Sequence, residues 1–101
     1  MFFSEDVVRE RLRDVFDPEM RLSVVDLGLI YNIEVEGDVV RITYTLTSPA
    51  CPLAQVIAEQ IRAAVLEVPG VRAVELSLTF TPAWDPSTMA SEDAKMELGI
   101  W

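Results

Sequence analysis

Histidine is absent from the 101-residue sequence, and cysteine occurs once, at Cys51. Without an imidazole, one copy cannot build a thiolate–imidazole zinc site or a Ser–His or Cys–His nucleophile pair. A lone cysteine excludes an intrachain disulfide, which fits a reducing compartment. Basic residues are scarce: 8 Lys and Arg stand against 17 Asp and Glu, a net charge of −9. That balance disfavours nucleic acid, whose non-specific binding rests on phosphate neutralisation, and equally an anionic membrane surface. No apolar run approaches the ~20 residues of a membrane span. The opening Met1-Phe2-Phe3-Ser4-Glu5-Asp6 lacks the basic region and long apolar run of a signal peptide, so a cytoplasmic protein is expected. The glycines form neither GxxxxGK[ST] nor GxGxxG, so no phosphate loop is expected.

Half the residues are hydrophobic, enough for one core in a single domain spanning 1–101. Ser4 is a helix cap, with Glu5 and Asp6 favoured at the positive end of the dipole. Val7, Val8, Leu12, Val15 and Phe16 then form a stripe at helical spacing, stopped by Asp17-Pro18. Leu29–Val35 and Val39–Leu46 read as two strands joined by a Glu36-Gly37-Asp38 turn. Val40, Ile42, Tyr44 and Leu46 share one face of the second strand. Leu53, Val56, Ile57, Ile61, Ala64, Val65 and Val68 predict a helix over about 52–67, closed by Pro69-Gly70. Val71–Phe80 alternates as a third strand. The stretch 81–89 reads as irregular, and Ser91 caps a last helix ending at Gly99. The order is α-β-β-α-β-α, which predicts an α+β fold: two layers, with a small three-stranded mixed sheet and helices on one face.

The candidate chemistry centres on Thr45-Leu46-Thr47-Ser48-Pro49-Ala50-Cys51-Pro52. Pro52 suits the first helical position, which makes Cys51 the expected N-cap. There the unpaired N–H groups favour thiolate over thiol. Position alone leaves a second reading open, a buried cysteine used only in packing. Thr45 reads as an ordinary strand threonine, whereas the Thr47 hydroxyl is within reach of the sulfur or the loop. Among the carboxylates Asp17, Glu19 and Asp26, a helix stop accounts for Asp17. Asp26 interrupts the apolar run Val24–Gly28 and so calls for a hydrogen-bond partner or a site. Trp84, in a Pro-rich loop, covers the core edge or roofs the cysteine site. Met89 is expected to staple the last helix.

Several stretches together resemble a known family. Asp17-Pro18-Glu19, Val25-Asp26-Leu27-Gly28-Leu29-Ile30-Tyr31, the Thr45–Pro52 segment, Pro69-Gly70-Val71, Trp84 with Pro86 and Met89, and Leu98-Gly99 run in the order typical of the MIP-eighteen family. That family includes the SufT and PaaD proteins and the eukaryotic cytosolic iron–sulfur assembly component. The resemblance implies the iron–sulfur assembly domain fold and a non-enzymatic role in maturing iron–sulfur proteins. It places the family's reactive cysteine, a functional thiol and cluster ligand, on Cys51, with supporting polar residues at Glu19, Asp26 and Thr47. Ala50 departs from the glycine often found before that cysteine. PaaD-type proteins are longer, with further cysteines, so ring-oxygenase maturation is not expected. A cluster usually takes four thiolates, so any iron–sulfur cluster here is shared. The partners implied are assembly proteins, apo client proteins, a stand-alone P-loop cluster-carrier ATPase and a second copy in a homodimer. Two other readings compete: an adaptor that uses its acidic surface and Trp84, and a thiol enzyme with Cys51 as nucleophile.

Overall fold

The computed structural model describes residues 4–18, 20–47 and 53–99. The chain runs α1 (Glu5–Leu12), β1 (Ile30–Glu36), β2 (Val39–Tyr44), α2 (Ala54–Leu66), β3 (Ala73–Leu78), α3 (Pro86–Met89) and α4 (Glu92–Leu98). The strands form one mixed sheet in the order β1-β2-β3. β1 and β2 are antiparallel, joined at Gly37, whose φ of +63° suits a residue without a Cβ. α2 crosses over so that β3 returns parallel to β2, with Val40, Ile42 and Tyr44 beside Val74, Leu76 and Leu78. The two-layer α+β fold expected from the alternation is the one observed.

Val40 and Ile42 on the sheet, Val8 and Leu12 on α1, and Ile57, Ile61 and Val65 on α2 are buried in one aliphatic cluster. The 3.6-residue spacing on the helices and the two-residue spacing on the strands aim these side chains at one another. α1 ends at Leu12, earlier than the Asp17-Pro18 stop suggests. Val15 is still buried, but Val7 and Phe16 of the predicted stripe are exposed. Ser4 caps α1 through Val7 N–H, and Ser91 caps α4 through Ala94 N–H, as the sequence indicates. α3 was not expected. Asp85 caps it through Ser87 N–H, and Pro86 occupies its first turn.

The N-cap of α2 is a correction. The cap position is Leu53, not Cys51, and Leu53 makes no side-chain cap bond. The reason lies in the backbone: the Leu53 carbonyl accepts from Ile57 N–H at 3.1 Å, so the helical ladder starts there. Cys51 itself, like Pro52 and Glu19, lies outside the described residues. Among the described residues no helix is long and apolar enough to cross a membrane.

Candidate functional site

The functional region expected from the sequence is the end of the sheet where β2 runs out towards Cys51. Thr45 continues β2 by donating its N–H to the Leu29 carbonyl at 2.8 Å. Its side chain is 0% exposed, and its Oγ1 has no hydrogen-bond partner among the described residues. An unpaired buried hydroxyl is costly, and native proteins rarely keep one. The sequence marks Thr45 as a plain strand residue. No periodic signal in the sequence marks the Thr45 face as covered, because Tyr44 and Leu46 report only the opposite face. Thr47, two residues on, is half-buried.

The segment before β1 is a tight turn. Leu27 N–H donates to Ser23 O at 2.9 Å, Gly28 N–H to Val25 O at 3.1 Å and Leu29 N–H to Val24 O at 3.0 Å. Val24, Leu27 and Leu29 point into the core. Asp26 is turned outward, where its carboxylate meets Arg13 Nη1 at 3.3 Å. The partner its place in an apolar run called for is therefore a surface guanidinium. Asp17 behaves in the opposite way. It is fully buried, and its Oδ1 accepts Met20 N–H at 3.2 Å while its backbone bonds Leu22 O and Arg21 N–H. Asp17 thus organises the loop that leads into the turn, a role that a helix stop does not describe.

A strap, residues 81–91, lies across this turn. Trp84 Nε1 donates to Leu27 O at 2.7 Å, Ser91 N–H to Asp26 O at 2.6 Å and Tyr31 O–H to Pro82 O at 2.8 Å. Gly28, at φ +79°, lies against the Met89 backbone, and a Cβ built there would stand 2.2 Å from Met89 O. Trp84 packs on the core cluster, in agreement with its reading as a core-edge cover. Met89 is not a helix staple. It closes α3, and its Sδ accepts Asp85 N–H at 3.3 Å and lies 3.6 Å from the Tyr31 hydroxyl. The Asp85 carboxyl is held below the usual carboxylate range, chiefly by the Ser87 hydroxyl and then by Ser87 N–H. Between turn and strap lies a cleft of about 400 Å³ lined by Gly28, Ile30, Tyr31, Pro82 and Met89. Sequence reasoning missed this cleft, because its walls come from two distant segments.

The structure therefore brings Asp26 and Trp84 to one turn through Leu27, and places Thr47 at the exit of β2. Among the described residues, no three His, Cys, Asp or Glu side chains converge as metal ligands. The fold and this layout define a small α+β domain with a cysteine-bearing crossover and a C-terminal strap. A family model described as iron-sulfur cluster assembly protein matches residues 5–78. A Porphyromonas gingivalis protein named Fe-S protein maturation auxiliary factor is 51% identical over 95% of this chain and 90% of its own length. An iron-sulfur cluster carrier protein of Deinococcus radiodurans is 44% identical over 70% of the chain, which spans only 20% of that longer protein. A Bacillus anthracis structure described as a DUF59 domain of unknown function superposes with a TM-score of 0.87 at 34% identity, covering 96% of this chain and 92% of that one. The chain belongs to the iron-sulfur cluster assembly protein family.

Proposed function

We propose that this chain, a single domain over 1–101, is a non-enzymatic accessory factor that helps assemble iron–sulfur clusters or deliver them to client proteins, with Cys51 as its working thiol. The 51% identity, over 95% of the chain, to a protein named Fe-S protein maturation auxiliary factor carries the reading. The cluster is cargo rather than a resident cofactor. One Cys51 per chain supplies one of the usual four thiolates, so the cluster is held jointly with a partner. Glu19, Asp26 and Thr47 are its supporting polar residues, and Trp84, the candidate site cover, holds the turn that carries Asp26 through Leu27 O. The carrier relative contains a segment like this chain within a longer protein, which favours a separate cluster carrier, a P-loop ATPase, as one partner in the cytoplasm.

The test is a deletion strain complemented with wild type or Cys51→Ser, read by the activities of iron–sulfur enzymes. Wild type is expected to restore them and Cys51→Ser to fail, with anaerobic reconstitution reporting whether a Cys51-dependent cluster forms. Full rescue by Cys51→Ser would leave the adaptor reading in its place, a reading that the excess of carboxylates favours.

A further inference from the structure

The two edges of the sheet are built differently. β1 carries a register shift between Ile30 and Asn32 and exposes Glu34 and Glu36, the bulge and charges with which natural sheets protect an edge. Among the described residues β3 is protected only at its start, where Arg62 Nη1 donates to the Val74 carbonyl at 2.7 Å. Thr79 N–H bonds Tyr44 O on β2, so odd-numbered residues of β3 face β2 and even-numbered ones face outward. The N–H and C=O groups of Leu76 and Leu78 therefore lie on the open edge, with no partner among the described residues. Beside them, Leu78 and Phe80 are 45% and 38% exposed.

We propose that two copies of this chain join through this edge, β3 against β3 and antiparallel, with Ser77 of each copy on the two-fold axis. This goes beyond the maturation reading and does not depend on it. The register follows from the free groups. Placing Leu76 opposite Leu78 of the second copy, and the reverse, uses all four N–H groups and all four carbonyls of Leu76 and Leu78 in the two copies. Ser77 then faces its own counterpart at a non-hydrogen-bonded position. Leu–Leu pairs form on the helix-covered face and a Ser–Ser pair on the other. Glu75 falls opposite Thr79 of the second copy, so no like charges oppose each other along the strand. That matters for a second copy in particular. In a chain of net charge −9, Leu76-Ser77-Leu78-Thr79-Phe80 is an uncharged stretch on which two identical acidic surfaces can meet. A basic partner would gain nothing from it.

Sedimentation equilibrium of the full chain is expected to give twice the 11.3 kDa chain mass. Leu78→Lys is expected to weaken self-association by on the order of a hundredfold, because an ammonium would be forced into an apolar pair, while circular dichroism stays unchanged. Ser77→Cys tests the register, in a Cys51→Ser background. Facing non-hydrogen-bonded Cα atoms lie about 4.5 Å apart, within disulfide range. This variant should cross-link with oxidised glutathione. Thr79→Cys should not, since its counterpart would be roughly 13 Å away along the strand. A wild type that stays monomeric at every concentration, including one that binds client segments instead, overturns the proposal. So does a dimer indifferent to Leu78→Lys, or one cross-linked at Thr79→Cys and not at Ser77→Cys.

Discussion

The helix–sheet interior and the strap–turn region are held by different physics. In the interior, Val8, Leu12, Val40, Ile42, Ile57, Ile61 and Val65 interlock with no polar atoms among their side chains. Across the turn, beyond the packing of Trp84 on the core edge, the strap is fixed by single hydrogen bonds and one backbone contact: Trp84 to Leu27, Ser91 to Asp26, Tyr31 to Pro82, and Gly28 against Met89. Non-directional burial tolerates sequence change so long as volume and pattern persist. Point contacts do not, because each depends on one atom being in one place. The first region should therefore set the global stability, and the second should respond locally.

Substitutions separate the two. Ile61→Ala leaves a cavity in the middle of the interior and should cost about 3 kcal/mol in urea unfolding, with no change in the slope of the transition. Gly28→Val should cost about 2 kcal/mol, since it strains a positive φ and collides with the Met89 backbone. Its signature is regional: Trp84 fluorescence, read in a Trp101→Phe background, should shift to longer wavelength while helical circular dichroism persists. If the two signals move together in one transition, the strap and the interior are a single cooperative unit and the contrast fails. Trp84→Phe keeps the packing but leaves Leu27 O unpaired, at a cost of about 1 kcal/mol.

Thr45→Val should act in the opposite direction. It removes a buried hydroxyl with no partner among the described residues and should raise stability by about 1 kcal/mol. Complementation of a deletion strain by this more stable variant asks whether the hydroxyl is kept for function. Failure to complement would assign the unpaired hydroxyl to the site that leads to Cys51, and full activity would make it a packing accident. The smallest expected effect is that of pH. The Asp85 carboxyl is lowered by Ser87, so its contribution is present above the ordinary carboxylate pKa near 3.9 and is lost as pH falls below it. Trp84 emission should therefore change on acidification through that range before the far-UV signal does.

The same contrast explains what the sequence made legible. Helix α2, the hairpin and β3 follow from apolar periods of 3.6 and 2, because burial of one face is written into consecutive residues. The caps at Ser4 and Ser91 were equally readable, since each satisfies N–H groups a few positions away. The strap was not readable. Its partners lie some fifty to sixty positions apart, and Tyr31, Pro82 and Met89 carry no periodic mark of meeting. The inward turn of Asp17 and the surface partner of Asp26 were unreadable for a related reason. Whether a carboxylate faces inward depends on how the loop folds, and Asp17 is enclosed by its own loop while Asp26 is turned towards Arg13. The cap of α2 fell two residues beyond Cys51 because the first helical hydrogen bond, rather than the proline, sets the start.

The contact at Gly28 constrains its two sides unequally. What a side chain at position 28 would strike is chiefly the carbonyl of residue 89, an atom every amino acid possesses. This contact therefore places little demand on the residue type at position 89, while it leaves position 28 no freedom. A homologue that has replaced this glycine must lay its C-terminal segment along another path. That one letter in an alignment thus distinguishes members that fasten the tail here from members that carry it elsewhere.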